Sequence, residues 1–298
     1  MPDSVENKNE NEETSDTRIV SAFLQAVEEG QERLERSWPN LLATGTLGGI
    51  DVSLGVLALL IIEDATGSRL LGALGFSIGF IALTLAKSEL FEENFLVPIT
   101  AVVARRSSLS ALIRLWGVAA IMNLIGGWVF AWLIVIAIPG LHETAVKISE
   151  FFIKLSVWES FALGVIAGAV ITLMTWMEHS CKTEFGKIIA VVSCAFLLAA
   201  VPMNHVIIIS IEIFVALIGG APFGYSEWAW VSVIATVANM VGGLLFVTFF
   251  RLVQVASAES KEGEKLEGEI DKNKFEKELD KKEEGRKKVS KKGNRKVK

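Results

Sequence analysis

Histidine is scarce in this chain, three in 298 residues, and cysteine scarcer still, with two. Cys181 and Cys194 form neither a metal motif nor a redox motif and give no disulfide framework. No catalytic triad, phosphate-binding loop or metal cluster can be assembled from the remaining residues, so neither an enzyme nor a cofactor or metal is expected. A basic stretch ahead of the first apolar run is also missing, because the chain starts acidic and polar. No cleavable signal is therefore expected. The most telling absence is of charge over long distances. Charged residues make up 21% of the chain and are segregated to its ends and a few short segments, so the net charge of −5 says little.

What fills the uncharged stretches is apolar. Hydrophobic residues are 51% of the sequence and come in blocks of twenty or more. Each block matches the roughly 20 residues a helix needs to cross about 30 Å of hydrocarbon. Backbone polar groups must be satisfied internally there, so the chain reads as an all-α membrane protein. Residues 1–40 form a cytoplasmic N-terminal segment. Within it Ile19, Val20, Phe23, Leu24, Val27, Leu34 and Trp38 recur at helical spacing over 18–38, with glutamates between. That is an amphipathic helix at the membrane surface or against the bundle, read here as a surface helix packed on its own protein.

Six spans follow: 41–62, 69–103, 111–138, 157–177, a fifth running through Pro202 to 217, and 228–255. Residues 41–140 make the first transmembrane repeat and 157–256 the second, separated by an external loop, 141–156. A charged cytoplasmic tail occupies 257–298. Arg33, Arg36, Arg105, Arg106, Arg114, Lys182, Lys187 and Arg251 fall on one side, and only Arg69, Lys147 and Lys154 on the other. The positive-inside rule then puts both termini in the cytoplasm of a multi-pass inner-membrane protein. His142 and His179 lie at span ends and read as interfacial.

Two spans are interrupted. In span two the break is Lys87-Ser88-Glu89-Leu90-Phe91-Glu92-Glu93-Asn94; in span five the interrupting stretch is Val201–Glu212, which holds Pro202, Asn204, His205 and Glu212. Proline removes a backbone donor, and a buried imidazole needs a partner. The chain also repeats. Asn123-Leu124-Ile125-Gly126-Gly127 returns as Asn239-Met240-Val241-Gly242-Gly243, an offset of 239 − 123 = 116. Gly48 with Gly164 and Glu89 with His205 share that offset. Three spans per half make this an inverted repeat, in which matched broken helices point to a midplane site. The Gly-Gly pairs suit close helix approach.

With these residues in view the chain resembles the formate/nitrite transporter family over about 35–255. Glu89-Leu90-Phe91 with Asn94 is similar to the family's Glu/Asp-Leu-Phe-Thr loop, and the two Asn-x-x-Gly-Gly segments to its glycine–asparagine repeats. Glu159 with Ala162-Leu163-Gly164 resembles the start of helix four, and His205 falls at the family's central histidine. The resemblance implies an aquaporin-like fold, helices two and five broken, a homopentamer with one pore per protomer, and passage of small weak-acid anions. It also implies that the histidine helps to protonate the anion between apolar constrictions, here Leu90, Phe91 and Leu198. The departures are Glu92 where the family has threonine, followed by Glu93, and Gly168 where it has an asparagine in helix four.

The expected pore residues are thus His205, Asn204, Glu92 and Lys87, with Lys87 the one nearby cation able to neutralise Asp51 or Glu92. Asp51, Glu92, Glu93 and Glu212 each cost about 2.5–3.5 kcal/mol at mid-depth, so pairing, protonation or hydration is required. Structural pairing and a conduction role both stay open for them. A neutral or cationic solute is the alternative that the acidic loop suggests, and a non-conducting scaffold with a partner-binding tail is another. Expected partners are membrane lipids, further copies of the chain and a small monovalent solute. The tail turns purely basic from Arg286. It either attracts anionic lipid, at about 1 kcal/mol per charge, or is a solvated end; without interleaved aromatics, nucleic acid is not expected.

Overall fold

The computed structural model describes residues 15–261, so the acidic start and most of the charged tail lie outside the described residues. Residues 21–252 form one compact unit, which contains everything argued below; the helical stretches 15–20 and 253–261 belong to another.

The described residues are mostly helical, with no strand among them. In order they are α1 (Ser15–Glu35), α2 (Trp38–Thr66), α3 (Arg69–Ala86), α4 (Val97–Val103), α5 (Leu109–Ala137), α6 (His142–Lys154), α7 (Val157–Ser180), α8 (Glu184–Ala200), α9 (Val206–Ile218) and α10 (Tyr225–Val241). Five helices are long and apolar enough to cross a membrane: α2, α3, α5, α7 and the continuous stretch Tyr225–Lys261 that begins as α10. Helix α9 is apolar too but only 13 residues long, shorter than a crossing requires.

Local chemistry sets the ends. Ser68, Ser108, Ser156 and Thr183 cap α3, α5, α7 and α8 with their hydroxyls, each accepting a backbone N–H. Pro39 and Pro98 sit in first turns, where the missing N–H is harmless. Helix α10 passes into a π-helical stretch at Gly242–Thr248, whose looser turn suits a place where a neighbour intrudes. There the Thr248 hydroxyl donates to the Phe95 carbonyl at 2.5 Å.

One expectation is corrected. Most of 141–156 is helical rather than a loop, as α6: Ala145, Ile148, Ser149 and Phe152 are buried along one face. That face packs mainly on α9. The period was present but short, and the flanking lysines masked it. The connection from α7 to α8 is short, because α7 runs to Ser180 and α8 starts at Glu184.

The main core runs through the centre of this unit. It joins Val52 and Leu59 of α2, Phe76 and Phe80 of α3, Ile171 of α7 and Ile209 of α9 to Leu90, Phe91 and Leu198. Helices approach closely where side chains vanish. A Cβ added at Gly126 would lie 2.3 Å from the Thr46 carbonyl oxygen, and one at Gly242 2.0 Å from that of Val165. Such contacts drive helix association where water cannot.

Candidate functional site: two broken helices and their asparagine clamps

An unwound segment at membrane depth must satisfy its backbone without water. In both breaks an asparagine does this, since its side chain offers two donors and one acceptor. Asn123 of α5 donates from Nδ2 to the carbonyls of Gly45 and Glu89, each at 2.7 Å, and accepts the Phe91 N–H at 2.9 Å. Asn239 of α10 donates to the carbonyls of Gly164 and Asn204, at 2.8 and 2.9 Å, and accepts the Val206 N–H at 3.0 Å. Each asparagine grips the chain on both sides of one residue. That residue is Leu90 in the first break and His205 in the second. Both are extended, with φ, ψ of −106°, 134° and −93°, 115°.

This geometry corrects the pairing read at a constant offset. His205 answers Leu90, and Asn204 answers Glu89, an offset of 205 − 90 = 115. Gly164 answers Gly45 and Gly168 answers Gly49, an offset of 168 − 49 = 119: a Cβ at Gly49 would lie 2.1 Å from the Asn123 carbonyl oxygen, and one at Gly168 2.1 Å from that of Asn239. The asparagine that the resemblance expects at Gly168 has no room there. Gly127 and Gly243 press on side chains instead, Ile211 and Phe95 respectively.

The first break is held by charge. Glu89 is fully buried, yet Arg36 pairs with one of its oxygens and Arg33 donates to the other at 3.2 Å. Arg33 also reaches the Asn94 side-chain oxygen at 3.4 Å and lies 3.9 Å from Glu93. Arg33 lies in the last turn of α1 and Arg36 just beyond its end, and α1 fits against the break because Gly30 meets the Val97 carbonyl with no side chain between. Burial works against the charge on Arg33, but Glu29 and Glu93 outweigh it and raise its pKa. Burial likewise opposes the Glu29 carboxylate; Arg33 and His179 override it and hold that group well below 4.5. His179 lies 3.1 Å from Glu29, so it tethers α1. A cleft of about 430 Å³ opens beside these residues, bordered also by Lys87, Glu178 and Lys187.

The second break has no such ties. Asn204 donates to the Ser160 hydroxyl and carbonyl at 2.7 and 3.1 Å. His205 is fully buried, with the Phe80 ring edge-on at 6.3 Å between centroids. Glu92 crosses from the first break to meet it. One Glu92 oxygen accepts the Ile207 N–H at 3.0 Å and lies 3.1 Å from His205 Nδ1, out of line for a hydrogen bond. The other Glu92 oxygen and both imidazole nitrogens have no hydrogen-bond partner. Glu92 thus caps α9 from the first break, where an anion is favoured.

Of the other expected site residues, Leu90, Phe91 and Leu198 share the main core. Asn94 closes its own loop by donating to the Leu90 carbonyl at 3.0 Å. Lys87 stands apart: it is exposed at the end of α3 with φ of 55° and pairs with neither Asp51 nor Glu92. Asp51 instead accepts the Ser88 hydroxyl at 2.5 Å. Glu212, 1% exposed, lies 3.8 Å from Arg69 with neither oxygen hydrogen-bonded. Sequence reasoning missed the roles of Arg33 and Arg36; their spacing of three on an amphipathic helix carrying a glycine at 30 was the available signal.

The chain matches the family model described as formate/nitrite transporter over residues 20–253. It is 29% identical over 251 residues to the inner membrane protein YfdC of Escherichia coli, covering 81% of this chain and 79% of that one. It is 24% identical over 234 residues to the formate channel BtFdhC of Bacillus thuringiensis, covering 75% and 90%. Among solved structures, an FNT family ion channel superposes with a TM-score of 0.71 at 16% identity, over 78% of this chain and 98% of that chain. A pentameric formate channel with formate bound gives 0.61 at 19%, over 72% and 95%. These likenesses establish the fold.

Proposed function

The chain belongs to the formate/nitrite transporter family, and on that premise we propose that it is a channel or secondary transporter for small monovalent weak-acid anions such as formate or nitrite. The single observation that carries the reading is the pair of asparagine-clamped breaks, which bring Leu90 and His205 into one buried centre. A scaffold has no use for two unwound segments at that depth. The relatives that are formate channels support the solute class.

In this reading α2, α3 with α4, α5, α7, α8 with α9, and α10 are six crossings in two inverted repeats. Both termini are cytoplasmic, five copies assemble as in the pentameric relative, and lipid surrounds them. The shared cleft supports that orientation, since it gathers Arg33 of α1 and the following Arg36 with Lys187 of α8. An anion crossing the apolar centre is strongly disfavoured as a charge and far less so as a neutral acid. His205, between Leu90, Phe91 and Leu198, lends the proton that makes the acid neutral. The buried carboxylates Glu92 and Glu212 favour one second reading, a neutral or cationic solute.

The test is uptake into proteoliposomes containing the full chain, across formate, nitrite, lactate, acetate, hydrosulfide and ammonium. Saturable, pH-dependent formate or nitrite uptake is expected, with an altered pH profile in His205→Asn at unchanged assembly. Ammonium uptake alone would establish the second reading; an unaltered profile in His205→Asn would reduce that residue to a structural one.

A further inference from the structure

The centre of the molecule contains a carboxylate that the proton-lending histidine does not require. Glu92 is fully buried, and its single ion-pair contact among the described residues is His205 at 3.1 Å. Its cap on Ile207 uses one oxygen; the second oxygen and both ring nitrogens of His205 remain without hydrogen bonds. A carboxylate placed only to cap a helix would not need an imidazole against it. An imidazole placed only to pack would not leave both nitrogens open beside an acid.

We propose that Glu92 and His205 hold one exchangeable proton between them, and that this shared proton is what a passing weak-acid anion takes up. The proposal rests on the transport reading for its last step and on the geometry alone for the first. Charge in a low-dielectric centre selects the state. With no proton the pair is net −1, and with two it is net +1; both are disfavoured where water is excluded. With one proton the pair is neutral, whether the proton sits on the carboxyl or on the ring. An approaching anion then meets no net negative charge. It takes the proton, leaving as the neutral acid, while Glu92 remains as carboxylate beside neutral His205. The Ile207 N–H and the N-terminus of α9 stabilise that carboxylate. A proton from water on either side restores the pair, so charge and atoms balance.

The other titratable groups around this pair are engaged elsewhere. On the same loop, Glu89 is paired by Arg33 and Arg36, and Glu93, next to Glu92, faces Arg33. On α2, Asp51 is bonded by Ser88. From α7, Glu178 accepts the Thr84 hydroxyl and His179 contacts Glu29. On α9, Glu212 lies beside Arg69, and Arg114 of α5 donates to the carbonyls of Leu34 and Arg36.

The test uses the full chain in lipid, with Glu92→Gln, which keeps an oxygen to cap Ile207, His205→Gln, and the double variant. Infrared difference spectra across pH are expected to show a carboxyl band lost in Glu92→Gln and displaced in midpoint by a pH unit or more in His205→Gln. Formate uptake is expected to fall at least tenfold at neutral pH in Glu92→Gln with a flattened pH profile, and the double variant to be no worse than either single one, as for groups sharing one proton. A carboxyl midpoint indifferent to His205→Gln, or a native pH profile in Glu92→Gln, overturns the proposal. If the native chain carries no anion at all while the infrared coupling persists, the transport reading falls and the shared proton stands.

Discussion

The two breaks use the same clamp to display opposite chemistries. Asn123 and Asn239 make matching sets of three hydrogen bonds, yet one holds out Leu90 and the other His205. Around that common core the breaks diverge. The first runs ten residues from Lys87 to Leu96 before α4 begins, carries three buried glutamates, and is tied by Arg33 of α1 and Arg36 just beyond it. The second needs only Val201–His205 and is steadied by neutral hydrogen bonds to Ser160. The clamp is therefore the part that must be the same, because unwound backbone has the same needs everywhere. What lies outside the clamp is free to specialise. One loop became a charged latch with α1 and sends Glu92 across; the other supplies the imidazole that Glu92 meets.

The largest expected effect tests whether the clamps are equivalent. Asn123→Ala takes the side-chain partner from two buried backbone groups of the break, the Glu89 carbonyl and the Phe91 N–H, and Asn239→Ala does the same for the Asn204 carbonyl and the Val206 N–H. Each such group costs about 1–3 kcal/mol, so both variants are expected to lose several kcal/mol and to drop out of assembled material on size exclusion at raised temperature. If one variant is stable and the other is not, the two clamps are not twins, and the common-core argument breaks.

The next effect separates the loops. Arg33→Gln removes one of two cations from Glu89 and the cation nearest Glu93. Breaking a buried pair costs about 3–5 kcal/mol; Arg36 remains on Glu89, so the lower end of that range is expected. Hydrogen exchange should quicken over residues 88–96 and stay native over 201–206. Equal quickening in both segments would mean that α1 braces the whole centre rather than the first break.

Legibility in the sequence followed the same division. The spans, both breaks and the two asparagine segments could be read because apolar length, proline and repeated motifs are local signals. The true partner of His205 could not. A single offset of 116 suits the asparagine helices, but the pieces before them are displaced to 119 and 115 by connections of unequal length. Connections tolerate such changes while packed helices do not. Arg33 and Arg36 counted only as cytoplasmic charge, since an arginine on an amphipathic helix looks the same whether it faces water or a buried glutamate. Lys87, adjacent to the acids in sequence, seemed their natural counter-ion; the left-handed turn ending α3 carries it away.

A smaller effect concerns pH at the latch. Glu29 has its pKa held below 4.5 in the folded chain, because Arg33 and His179 override burial. A depressed carboxylate contributes stability above its unfolded pKa and loses it only as pH falls through the lower folded value. Hydrogen exchange over residues 22–34, corrected for intrinsic rate, should therefore be flat from pH 8 to pH 5 and rise only in stronger acid. Release of α1 already between pH 7 and pH 5.5 would show that something other than Glu29 governs the latch.

The smallest effect is at Lys87, where the first break begins. Its φ of 55° is left-handed backbone, which a residue with a Cβ adopts at a cost of about 1–2 kcal/mol. Glycine removes that strain but adds roughly 0.5–1 kcal/mol of freedom to the unfolded chain. Since no ion pair to Asp51 or Glu92 is lost, Lys87→Gly should gain under about 1 kcal/mol, a rise of a few degrees at most in the midpoint of thermal unfolding. Formate uptake and its pH profile should be native. A clear loss of stability, or a displaced pH profile, would mean that Lys87 neutralises the acidic loop after all, and the first break would then carry a third cation beside Arg33 and Arg36.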